Sequence, residues 1–307
     1  MAVLPFQSWI SEKDKPFWEE RCVQILDTLS KTGIELNPVP KIQSHPPLVY
    51  TAFEKGLQKL ADFLISKSPS VISTAESPGF SPLLVCIEEG RWSRATFLLE
   101  SCGANPNRKG CFWDSGRKQF MSPLCACLYK WKNLWVDAQS DAARGISEGA
   151  AGLVRLLVEK GARCDPTESG SEAPGGVGNA DSSPPLSAPA SLSPLLLACS
   201  LNPPSPSTIR LLISHAGADP NLPGLVEERL PDIEPSRPLE VALRRIIPPP
   251  SVPNYLFGGR GNDSFLSASN VQAILAVSTL LELGARTGLL SEQLRAFANM
   301  WTELRSP

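Results

Sequence analysis

One passage recurs along this chain with different amounts of text in its middle. From Ser81 to Asn107 it reads SPLLVCIEEGRWSRATFLLESCGANPN, opening on Ser-Pro-Leu and closing on Gly-Ala-Asn-Pro-Asn. It returns as SPLCACLYKW followed at a distance by LVRLLVEKGARCDP, and again as SPLLLACSLNPPSPSTIRLLISHAGADPN. The Pro-Leu marks fall at Pro47, Pro82, Pro123, Pro194 and Pro238, at intervals of 35, 41, 71 and 44 residues. The Gly-Ala close falls at Gly103, Gly161, Gly217 and Gly284. A fixed order with a variable interior describes one supersecondary unit, copied and then lengthened where the fold tolerates it.

The best-preserved copy predicts the unit. Pro82 starts a helix, where its missing N–H costs nothing. Leu83, Cys86 and Ile87 then share one face, and Gly90 ends the helix. Ala95, Leu98, Leu99 and Cys102 form the apolar face of a second helix, which Gly103 closes in the left-handed conformation. Neither short helix is stable alone, so each must bury its stripe on neighbours.

These openings and closings resemble the ankyrin repeat, a β-turn and two antiparallel helices over about 33 residues with a T-P-L-H-x-A opening. The resemblance implies an all-α solenoid with helical caps and long inter-helix insertions. It divides the chain into a capping helix or half repeat over 1–44, repeats over 45–79 and 80–110, and a third over 121–166 with an insertion at 130–148. A disordered loop over 167–191 follows, then repeats over 192–223 and 236–288, the last with an insertion at 246–269, and a capping helix over 289–307. In FWEERCVQILDTLSKTGIELN, from Phe17 to Asn37, a degenerate Gly-Ile closes the first cap. In SEQLRAFANMWTELR, Leu294, Phe297, Ala298, Trp301 and Leu304 share a face behind Ser291 in the last. The histidine of the family's opening is missing throughout. Its place holds Leu84, Cys125, Leu196 or Glu240, so regular stacking of the turns by that histidine is not expected.

The insertions at 130–148 and 246–269 are expected as loops leaving the end of the stack opposite the turns. The stretch 167–191 is Gly, Pro, Ser and Ala with few large apolar groups, a composition that cannot offset its own ordering entropy.

Of the 307 residues, 42% are hydrophobic, enough for a sizeable core, and the formal net charge is −2. That balance gives no field to attract nucleic acid or an anionic membrane. No apolar run is long enough to span a bilayer, and the N-terminal residues do not read as a secretory leader. The expectation is a cytoplasmic or nuclear monomer, with its 8 cysteines reduced. Cys86, Cys127 and Cys199 occupy positions where ankyrin repeats hold alanine, and are read as small buried hydrophobes. No cysteine pairs have zinc spacing, and two histidines, His45 and His215, are few for an acid–base centre; His215 is read as a solvated helix end. GxxxxGK[ST] and HExxH are absent, and no GxSxG elbow on a strand-to-helix turn is read. Neither cofactor, metal nor catalytic residue is expected.

The candidate site is the long turn from Asn107 to Met121, which carries Arg108, Lys109, Arg117 and Lys118 with Phe112, Trp113 and Phe120. Tyr129, Lys130, Trp131, Lys132 and Trp135 lie nearby in sequence. Aromatic residues and arginine anchor protein interfaces, and the cations suit an acidic segment of a protein partner. The competing reading is that the aromatics pin an over-long turn to the stack while the charges are merely solvated. The expected function is a non-catalytic adaptor or scaffold. A structural subunit that docks through its insertions is the alternative, and an enzyme with an unrecognised site stands behind both.

Overall fold

The structure is a computed structural model and describes residues 13–33, 48–68, 72, 81–114, 117–134, 141–164, 192–224, 236–246 and 268–290. It is mostly helical and divides into two compact units, residues 1–123 and 124–307. The loop expected over 167–191 lies outside the described residues, as do 291–307 of the C-terminal cap, 34–44 of the first and 247–267 of the last insertion.

The first unit holds α1 (Lys15–Lys31), α2 (Leu48–Glu54), α3 (Gln58–Lys67), α4 (Pro82–Glu88), α5 (Trp92–Ser101), β1 (Gly110–Asp114) and β2 (Arg117–Met121). Helix α2 packs on α3 and α4 on α5; α2 also packs on α4, and α3 on α1. The first helices of the two pairs thus meet, and α3 is covered by α1. The reason is visible in α4, where every residue from Pro82 to Ile87 is buried. A helix apolar on all sides must be walled in on all sides. Leu98 and Ala95 of α5 supply one wall, fully buried themselves. Helix α3 has no side-chain cap of its own. Glu19 of α1, buried, accepts from the Leu60 N–H in its first turn at 3.0 Å and serves as the cap from outside.

The second unit continues with α6 (Pro123–Leu134), α7 (Asp141–Glu159), α8 (Pro194–Cys199), α9 (Pro206–His215), α10 (Pro238–Ile246), α11 (Ala268–Glu282) and a short 3-10 turn at Thr287–Leu289. The contact scheme repeats: α8 with α9, α10 with α11, α8 with α10, and α9 with both α7 and α11. Pro82, Pro194 and Pro206 each start a helix behind a serine whose hydroxyl accepts a first-turn N–H. Where Arg237 replaces that serine, Glu240 reaches back to accept the Arg237 N–H at 3.5 Å, the reciprocal half of a capping box.

Where the close continues as Gly-Ala-Asn-Pro-Asn or Gly-Ala-Asp-Pro-Asn, the two copies share one geometry. Gly103 and Gly217 stand at φ +66° and +72°, where a Cβ is strained and glycine is not. The alanine after each bonds back into the helix, Ala104 N–H to Leu98 O and Ala218 N–H to Leu212 O, both at 3.1 Å. Asn105 and Asp219 then accept the N–H two residues on, from Asn107 at 2.9 Å and Asn221 at 2.8 Å.

One expectation is corrected. The insertion at 130–148 is not simply a loop. Helix α6 runs on to Leu134 and α7 already begins at Asp141, so the added residues lengthen both helices. The sequence DAARGISEGAAGLVRLLVE has alanine and leucine enough to propagate a helix, and the Trp131 indole N–H donates to Ser147 Oγ at 3.1 Å, pinning the two extensions together.

Candidate partner-binding hairpin

The long turn is an antiparallel hairpin with the register Gly110–Met121, Cys111–Phe120, Phe112–Gln119, Trp113–Lys118 and Asp114–Arg117. Alternation then sorts the candidate residues by face. Phe112, Gln119 and Met121 fall on the inner face and are buried, Phe112 with only 1% of its surface exposed. Trp113, Phe120 and Cys111 fall on the outer face, with Lys118 at the register position opposite Trp113. Trp113 is 48% and Phe120 59% exposed.

Strand β1 packs on α4. The Trp113 N–H donates to Glu88 Oε2 of α4 at 3.3 Å, tying down one edge as well. Tyr50 of α2 is also buried; its burial, and then the charges of Glu54, Cys111 and Glu88, push its phenol up to about 12. The Gln119 side-chain carbonyl is buried and takes no hydrogen bond among the described residues.

The structure therefore divides the site that the sequence suggested. Phe112 is a core residue, and its ring is not available to a partner. Trp113 and Phe120 are a pair of large apolar groups with a solvated face. Arg108 and Lys109, half-buried, lead into β1, and Arg117 and Lys118 begin β2. Tyr129 and Trp131 are buried in α6 and Trp135 lies outside the described residues, so the second aromatic group is packing wherever it is described. The residue that sequence reasoning missed is Glu88, and reading GCFWD and RKQFM as alternating strands is the signal that separates Phe112 from its neighbours.

The cysteines are free. Cys86, Cys127 and Cys199 are fully buried; desolvation pushes the Cys86 thiol up to about 12 and the other two upward as well. Cys127 and Cys125 donate to the carbonyls of Ala150 and Leu192. His215 is exposed at the end of α9. Among the described residues no three histidine, cysteine or acidic side chains converge as a metal would need, and no helix is long and apolar enough to cross a membrane. No family model matches the chain, and no curated protein matches it significantly.

Proposed function

We propose that this chain is a degenerate ankyrin-repeat protein whose activity is non-catalytic binding of a partner protein, as an adaptor or scaffold. The repeat reading is supported by the helix pairs, by first helices on first and second helices on second, and by the recurring glycine-closed turn. The binding reading rests on one observation. The hairpin is fixed to the body by Phe112 and Glu88, yet turns Trp113 and Phe120 to solvent in a stretch whose sequence carries Arg108, Lys109, Arg117 and Lys118. Packing alone would need only the inner face. A large aromatic pair left exposed on a well-held strand pair has the composition of an interface centre.

The test is paired affinity capture, with wild-type protein and Trp113→Ala as baits in the same native extract. The reading expects a protein present with the first bait and depleted at least tenfold with the second, with both baits equally folded. Equal capture by both would overturn it.

The structural-subunit reading draws support from α1, whose Phe17, Trp18, Ile25 and Leu29 are exposed. It expects Ile25→Lys with Leu29→Lys to release the partner while Trp113→Ala does not.

A further inference from the structure

Among the described residues the hairpin is a sheet of two strands, so each strand has one side without a neighbouring strand there. The two sides differ. Trp113 turns its N–H away from β2, to Glu88 Oε2. In an antiparallel pair the outward-facing and inward-facing residues alternate. Trp113–Lys118 is therefore a pair without mutual hydrogen bonds, and so is Cys111–Phe120, two positions along. On β2 it follows that Lys118 and Phe120 turn their backbone N–H and C=O outward. The β1 side is occupied by α4 and its glutamate. On the β2 side, among the described residues, no hydrogen bond engages the outward backbone of Phe120, and its side chain is 59% exposed.

Resting on the partner-binding reading above, we propose that β2 accepts an extended acidic segment of the partner as a third strand. Two outward residues supply two donors and two acceptors, the spacing that a strand of about five residues satisfies. An apolar residue of the added strand lies against Phe120, extending the aromatic face that Trp113 begins. Charge decides between occupants. From Arg108 to Lys118 the hairpin carries four cations and one carboxylate, Asp114. A second copy of β2 would bring Arg117 and Lys118 again to the same sheet, and like charges across strands are destabilising. An acidic strand neutralises them.

The experiment selects random decapeptides by display against the full chain. The strongest is resynthesised in two N-methylated forms, each blocking one alternate set of its N–H groups, and affinities are read by fluorescence anisotropy. The proposal expects selected peptides to be acidic. It expects one N-methylated form to lose at least tenfold in affinity and the other to bind like the parent, because only one set faces β2. It expects Trp113→Ala to lose at least tenfold. If Trp113→Ala weakens binding but both methylated forms bind like the parent, or both weaken alike, the site stands and strand addition falls. If Trp113→Ala binds like wild type, the partner-binding reading falls with it. No enrichment, or a concentration-dependent dimer of the free chain abolished by Phe120→Asp, would overturn the proposal.

Discussion

Phe112 and Trp113 are adjacent, both aromatic and both in one strand, and alternation gives them opposite tasks. Phe112→Ala opens a cavity and should cost about 3–5 kcal/mol in stability, read by chemical denaturation. Trp113→Ala should leave the melting temperature nearly unchanged and weaken partner binding by about 2 kcal/mol or more. A stability loss at Trp113 equal to that at Phe112 would mean that both rings are packing. Gln119, opposite Phe112, buries a carbonyl that takes no hydrogen bond among the described residues. Gln119→Leu should hold or raise stability, since removing an unpaired buried acceptor is favourable. The buried thiols give a third check. Iodoacetamide at neutral pH should label half-buried Cys111 while sparing Cys86, Cys127 and Cys199, whose thiolates burial suppresses. Native-state labelling of Cys127 would contradict its placement. The burial of these three cysteines was legible in the sequence, because each sits four or five residues after its proline. The split of the hairpin was not, because a cluster of aromatics and cations reads alike whether the turn is irregular or a strand pair; only the register separates the faces.

Elements in this molecule are short, and their ends are specified more sharply than their interiors. Helix starts were legible from Ser-Pro-Leu and helix ends from Gly-Ala, since caps and left-handed closures depend on one residue type at one place. The lengthening of α6 and α7 was not. Inserted text was read as loop because the repeat template has no room for it, while the local propensity of the alanines and leucines favoured helix and prevailed. The link between neighbouring turns is a related case. Asn221 connects neighbouring turns, donating from Nδ2 to Gly284 O at 3.1 Å and accepting the Arg286 N–H at 2.7 Å. Asn221→Ala should therefore cost about 1–3 kcal/mol and speed amide exchange at Arg286. Unchanged exchange at Arg286 would show that the turns are held by packing alone. Asparagine in a Pro-Asn turn carries no signal of a cross-turn bond, so its task emerges only when the two turns are seen side by side.

At the scale of the whole chain, both units are mostly helical, and the first also carries the hairpin of β1 and β2. The account makes that hairpin the point of contact. Amide hydrogen exchange over the full chain, with and without the captured partner, tests this most directly. The account predicts that partner-induced protection is concentrated between 108 and 121, with the outward amides of Lys118 and Phe120 among those slowed. Protection confined to α1, or to the second unit, with exchange between 108 and 121 unchanged, would contradict it.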